Sequence, residues 1–81
     1  MRDEILEKII SFVVKLFGGD ASSMNGDTAF EGDLGFKSVS FVQLIASLED
    51  EYDTEVKYMK FKRCATIGEA ADFMLDLIGE G

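Results

Sequence analysis

Few residues in this chain can do chemistry. Among 81 residues there is no histidine and a single cysteine, Cys64, so neither a histidine-assisted nucleophile nor a Cys/His zinc centre can be assembled. The hydroxyl in the most suggestive setting is Ser38, in the run Asp33-Leu34-Gly35-Phe36-Lys37-Ser38, where a stretch rich in glycine and acid turns into an apolar-periodic one. No Gly-x-Ser-x-Gly elbow surrounds it, and with no base to take its proton a catalytic serine is set aside. Two roles stay open on the residues alone. Ser38 can cap a helix by accepting a bond from a first-turn amide. Alternatively, its oxygen can attach a phosphate-linked group, which the free amides and partial positive charge of a helix N-terminus would favour.

The elements that must position this serine are helical. Ile5, Leu6, Ile9, Phe12, Val13 and Leu16 recur at helical spacing, and Gly18-Gly19 supplies a stop. From Gly18 to Lys37 the punctuation of Gly, Asp, Ser and Asn predicts a long ordered loop, with Met24, Phe30, Leu34 and Phe36 as its anchors to the core. Phe41, Leu44, Ile45, Leu48 and Tyr52 share one face of a second helix that starts near Ser38 and ends around Asp53. Lys57 to Arg63 leaves room for a short helical turn. Thr66-x-x-Glu69 is a capping box for a last helix, closed by Gly79, with Ile67, Ala70, Ala71, Met74, Leu77 and Ile78 inward. No run alternates with period two long enough for a strand. The expected architecture is all-α: one domain over residues 1–81, a small bundle of three to four helices with a long first loop.

Sixteen acids against eight bases give a net charge of -8, which disfavours nucleic acid and anionic lipid surfaces and points to basic protein partners. The opening segment MRDEILEKIISFVVKLF carries Asp3, Glu4, Glu7 and Lys15, so neither a signal peptide nor a membrane span fits it. A lone cysteine suits a reducing, cytoplasmic compartment, and Cys64 is expected to be a buried structural thiol.

The stretch DTAFEGDLGFKSVSFVQLIASLEDEYDTEV, Asp27 to Val56, resembles the acyl carrier protein family, whose hallmark is Asp-Leu-Gly, two residues, then the serine that bears 4'-phosphopantetheine. Asp33, Leu34, Gly35 and Ser38 occupy that pattern. The likeness takes in Asp27-Thr28 and Phe30 before the motif, Leu48-Glu49-Asp50-Glu51-Tyr52 after it and the helix start at Thr66, and covers most of the chain from Glu4 to Ile78. It implies that a phosphopantetheinyl transferase moves the arm from coenzyme A onto Ser38. The arm's thiol would then hold acyl intermediates as thioesters for fatty acid, polyketide or related specialised lipid biosynthesis. The carrier itself would be a monomer without catalytic residues or a metal, served by acyl-loading and synthase enzymes with basic docking patches. The rival reading is a helical protein-interaction module that has the carrier fold without the arm.

Several residues depart from the family pattern. The position before the serine is commonly acidic, whereas Lys37 stands here and could contact the arm's phosphate. On a helical wheel the side of the second helix opposite Phe41, Leu44 and Leu48 holds Val39, Gln43, Ala46 and Asp50, with Val42 beside them. This is the expected docking face, an apolar strip with an acidic far end that begins at Glu49 and Asp50. The five acids Glu49, Asp50, Glu51, Asp53 and Glu55 oppose the helix dipole, so docking to Lys/Arg patches is their expected role, with a solubilising face or loose cation binding as alternatives. The bases Lys57, Lys60, Lys62 and Arg63 are expected to screen those acids. If the interior shelters an acyl chain, as the resemblance implies, its walls are Phe41, Leu44, Ile45 and Leu48, and the Phe41 ring shortens or redirects the tunnel.

Overall fold

The computed structural model describes residues 2–79. Four helices run in chain order: α1, Arg2–Phe17; α2, Ser38–Tyr52; α3, Tyr58–Phe61; and α4, Ile67–Gly79. This is the all-α bundle with a long first loop that the periodicity predicts, α3 being the short helical turn. Helix α1 buries Ile5, Ile9 and Val13, one side chain per turn, and sets Asp3 and Glu4 at its start and Lys15 at its end, in register with its dipole. It stops where Gly18 and Gly19 take φ of +87° and +102°, in the left-handed region. No helix among the described residues is long and apolar enough to cross a membrane.

The core is one cluster in which α1 packs against α4 and α2, and α2 against α3. From α2 it takes Phe41, Leu44, Ile45 and Leu48, from α3 Phe61, and from α4 Ile67, Ala70, Ala71 and Met74. Leu77 and Ile78, expected inward, are half-buried and pack against the edge of this cluster. Asp53 caps α2 in the left-handed conformation, φ 51°, and its amide bonds back to Glu49 O.

The first loop is held rather than slack. Asp20 caps a 3-10 turn over Ala21–Ser23 by accepting from the Ser22 amide at 3.0 Å. Phe30 and Phe36 are buried, and Met24 and Leu34 pack half-buried against the core. The loop then runs beside the start of α4. An antiparallel bridge joins Ala29 to Thr66, and the amides of Phe30, Ile67 and Gly68 bond Ala65 O, Thr28 O and Gly26 O at 3.0, 3.0 and 2.9 Å. Helix α4 opens as the capping pattern predicts, with Thr66 Oγ1 accepting from the Glu69 amide at 3.2 Å. The Glu69 carboxylate reaches one residue further back than expected, to the Ala65 amide.

The seam between loop and helix depends on the missing side chain of Gly68. A Cβ there would sit 2.7 Å from Gly26 O and 3.2 Å from Gly26 Cα, both backbone atoms that cannot rotate away. Although alanine gains about 1 kcal/mol over glycine in a helix, Gly68→Ala is expected to lose about 1–3 kcal/mol through this overpacking. Gly79→Ala, whose added carbon meets nothing within 4 Å, is expected to be neutral or stabilising. Urea denaturation of both variants checks this, and a wild-type midpoint for Gly68→Ala would show that the seam is looser than described.

Candidate functional site

The Asp-Leu-Gly motif works as a folding device. Asp33 Oδ2 accepts from the Ala29 amide at 2.8 Å, while the amides of Asp33 and Leu34 both bond Ala29 O, at 3.0 and 3.1 Å. The chain therefore closes into a tight loop on Ala29, the residue bridged to α4. Leu34 lays its side chain against the core, and Gly35 turns the chain with φ +68°. Phe36 then drops into the interior, its amide bonding Phe30 O at 2.9 Å. Two residues later the chain emerges at Ser38, with Phe36 buried before it and Phe41 after it.

Ser38 is the first residue of α2 and not its N-cap, which is Lys37. Ser40 does the capping work of a serine here, its Oγ accepting from the Lys37 amide at 3.2 Å. The reading of Ser38 as a capping hydroxyl is thus overturned. Ser38 is exposed, its hydroxyl has no hydrogen-bond partner among the described residues, and the amides of Ser38 and Val39 have no backbone acceptor there either. A nucleophilic hydroxyl stands free at the start of a fifteen-residue helix, beside two unspent donors.

A cleft of about 250 Å³ adjoins this hydroxyl, lined by Glu31, Phe36, Lys37, Ser38, Phe41 and Lys62. A second cleft of about 280 Å³ shares Glu31 and Lys62 with it and adds Arg63 and Cys64. Lys62 was missed as a site residue because it lies 24 positions from Ser38 in sequence, and only the packing of α3 on α2 brings it there. The four clustered bases do not act together as a screen for the acids. Lys57 and Lys60 share a cleft with Glu55 and Asp76 on the α4 side, whereas Lys62 lines the cleft at the serine and Arg63 the one adjoining it. The Lys62 ammonium lies over the Tyr58 ring, 5.8 Å from its centroid.

The predicted docking residues Val39, Val42, Gln43, Ala46 and Asp50 are all exposed on α2. Glu49 differs: it is half-buried, and its carboxylate accepts from the Val56 amide at 2.8 Å, tying the chain after α2 back onto the helix. Glu51 faces Lys8 of α1 at 3.6 Å. Local structure therefore explains part of the acidic cluster, contrary to expectation. The residues named as acyl-pocket walls, Phe41, Leu44, Ile45 and Leu48, are buried. Behind Ser38, Phe41 meets Phe36, Phe30 and Phe61 at centroid distances of 5.2, 5.6 and 6.4 Å, so rings fill that part of the interior.

Comparison with known proteins agrees with this geometry. Residues 7–74 match the family model described as phosphopantetheine attachment site, and the chain belongs to that family, the acyl carrier proteins. Among solved structures it is similar to the acyl carrier protein from Enterococcus faecalis, with a TM-score of 0.77 and 26% identity over 95% of this chain and 98% of that one. Its function is accordingly that of an acyl carrier, a class that is generally non-catalytic, and its cofactor is 4'-phosphopantetheine. The residues around Ser38 fit that group: an unengaged exposed hydroxyl for the ester bond, with open amides for its phosphate and two lysines, Lys37 and Lys62, lining the adjoining cleft.

Cys64 is set apart from this chemistry. It is buried, and burial, reinforced by the Glu69 carboxylate, pushes its thiol up to about 11. At pH 8 its thiolate fraction is then about a hundredfold below that of a thiol at 9.0, and it rises as pH climbs toward the shifted value. Iodoacetamide at pH 8 is expected to label the unmodified protein very slowly and the phosphopantetheinylated protein quickly, once, on the arm. Rapid labelling of the unmodified protein would show that Cys64 is accessible and ionised.

Proposed function

We propose that Ser38 is the residue that carries the 4'-phosphopantetheine arm, in a single acyl carrier domain that works as a cytoplasmic monomer. The observation that carries the assignment is the free hydroxyl at the first position of α2, relieved of capping by Ser40 and flanked by Lys37 and Lys62. On transfer from coenzyme A the Ser38 oxygen forms the new bond to phosphorus, the bond to the nucleotide phosphate breaks, and the hydroxyl proton leaves. The chain has no histidine, Asp33 is already engaged with Ala29, and Glu31, though it lines the same cleft, makes no hydrogen bond to Ser38, so the transferase supplies the base. Once attached, the arm offers a terminal thiol for thioester linkage of acyl groups. Lys37 and Lys62 offset the phosphodiester's charge, and the α2 face of Val39, Val42, Gln43, Ala46 and Asp50 meets the transferase and the acyl-loading and synthase enzymes. The chain catalyses nothing itself. Its departures from the family pattern at Lys37 and along α2 favour a dedicated polyketide or lipid pathway over bulk fatty acid elongation.

Intact mass after incubation with coenzyme A and a phosphopantetheinyl transferase tests the assignment. Wild type is expected to gain one phosphopantetheinyl group and Ser38→Ala none. A wild-type chain that gains nothing would favour the interaction-module reading.

The ring-filled interior also bears on cargo. With Phe30, Phe36, Phe41 and Phe61 occupying the space behind Ser38, a long acyl chain has no preformed shelter there and stays near the surface. Thioester hydrolysis of the wild-type acyl forms is therefore expected to vary little with chain length. Phe41→Leu, milder than removal of the whole ring at about 3–5 kcal/mol, is expected to slow hydrolysis of the longer chains. Strong protection of long chains in the wild type would show that the rings move aside.

A further inference from the structure

The two clefts at and beside Ser38 are lined by more bases than acids, although the chain as a whole is acidic. The net charge is -8, yet the cleft at the serine sets Lys37 and Lys62 against one carboxylate, Glu31, and the adjoining cleft adds Arg63. None of Lys37, Lys62 and Arg63 makes an ion pair among the described residues, a state they share with Lys15, Lys57 and Lys60. No acid occurs on α2 before Glu49. Three large apolar side chains are exposed on the two helices beside this cleft: Val39, 62% exposed, and Val42, 53%, on α2, and Met59, 68%, on α3. Met59 lies about 60° around its helical turn from Lys62 and points away from buried Phe61. Exposed apolar side chains and cations without ion-pair partners thus occur together on α2 and α3, at the end of α2 that begins with Ser38.

Resting on the assignment of Ser38 as the attachment residue, we propose that this face docks on protein partners whose contact surface presents carboxylates around an apolar patch. The arm enters their sites past those carboxylates. Bases on a partner meet only the far end of α2, where Asp50 lies twelve residues on, about 18 Å along the axis. The face is therefore dipolar, and a partner docked end for end would meet like charges at both ends. A protein fits better than a nucleic acid. Exposed valines and methionine gain little against a phosphate backbone, and the overall charge repels one. A uniformly basic partner patch, which the composition suggests, would confront Lys37, Lys62 and Arg63 directly.

The test uses the full chain, isotope-labelled at its amides, in unmodified and phosphopantetheinylated forms. It is titrated with two synthetic amphipathic helical peptides that share a leucine face, one with glutamate and one with lysine on the polar face. The glutamate peptide is expected to shift the resonances of residues 37–42 and 59–63. Its affinity should fall about tenfold in the double variant Lys37→Glu/Lys62→Glu and fall with added salt. The lysine peptide is expected to act on residues 50–55. Both lysines are exposed, and unchanged resonances elsewhere confirm that the double variant is folded. The proposal is overturned if the glutamate peptide leaves the Ser38 end unmoved, if the lysine peptide shifts it as strongly, or if the double variant binds like wild type. A random single-stranded RNA that shifts those resonances more than the glutamate peptide also overturns it. Mass spectra of the same samples report separately whether Ser38 takes the arm, so failure of the attachment assignment and failure of the docking charge give different results.

Discussion

The constraint on which the rest depends is the contact among four phenylalanine rings from three parts of the chain. Phe30 and Phe36 belong to the first loop, Phe41 to α2 and Phe61 to α3, and their centroids stand 5.1 to 6.4 Å apart in tilted and edge-on pairs. Such pairs contribute about 0.5–1.5 kcal/mol each beyond the area they bury. Phe17 of α1 and Phe73 of α4 extend the cluster at 4.9 and 6.0 Å. Because Phe36 is buried two residues before Ser38 and Phe41 three residues after it, the chain between them must pass over the outside of the cluster. Exposure of the serine is a consequence of that burial, as is the position of Lys62, which follows Phe61 directly.

A helix start usually consumes a hydroxyl, and here the sequence supplies two. Ser40 bonds the Lys37 amide, which leaves the Ser38 oxygen without an internal task. The Asp33 carboxylate is similarly occupied, by the Ala29 amide, so the acid nearest in sequence to the serine shapes the loop and does not act as a base. The site presents an oxygen atom with no hydrogen-bonded base beside it, so the attachment proposed above draws its base from a second protein. This division suits a carrier, which must offer its attachment point to several enzymes without reacting on its own.

Helix content, helix order and the inward faces were legible in the sequence because apolar spacing reports them directly: Phe41, Leu44, Ile45 and Leu48 are buried as their periodicity requires. The motif around Ser38 was legible too, but its mechanics were not. Nothing in Asp33-Leu34-Gly35 alone shows that the aspartate bonds backward to Ala29, four residues before it, and the pairing of the loop with Thr66 depends on chain segments more than thirty residues apart meeting. For the same reason the clustered bases were read as one group. A helical turn of four residues splits them, Lys60 toward α4 and Lys62 toward the serine, and one-dimensional proximity carries no sign of that rotation. Capping stayed open for Ser38 on the residues alone because serine suits a helix start by type, and only the structure shows that Lys37 is the N-cap and that Ser40 bonds its amide.

The acidic end of α2 shows the same separation of structural from functional charge. Acids at a helix C-terminus oppose its dipole, each by about 0.3–1 kcal/mol where exposed. Two of the five have structural partners, Glu49 at the Val56 amide and Glu51 at Lys8. Asp53 takes the left-handed capping conformation, which aspartate tolerates better than most residues. Asp50 and Glu55 are exposed and make no hydrogen bond or ion pair among the described residues, so stability does not account for their charge. The docking proposed above accounts for it together with the unpaired Lys37 and Lys62 at the other end: a surface recognised in one orientation, repeatedly and reversibly, has to keep some of its charges unpaired until a partner arrives.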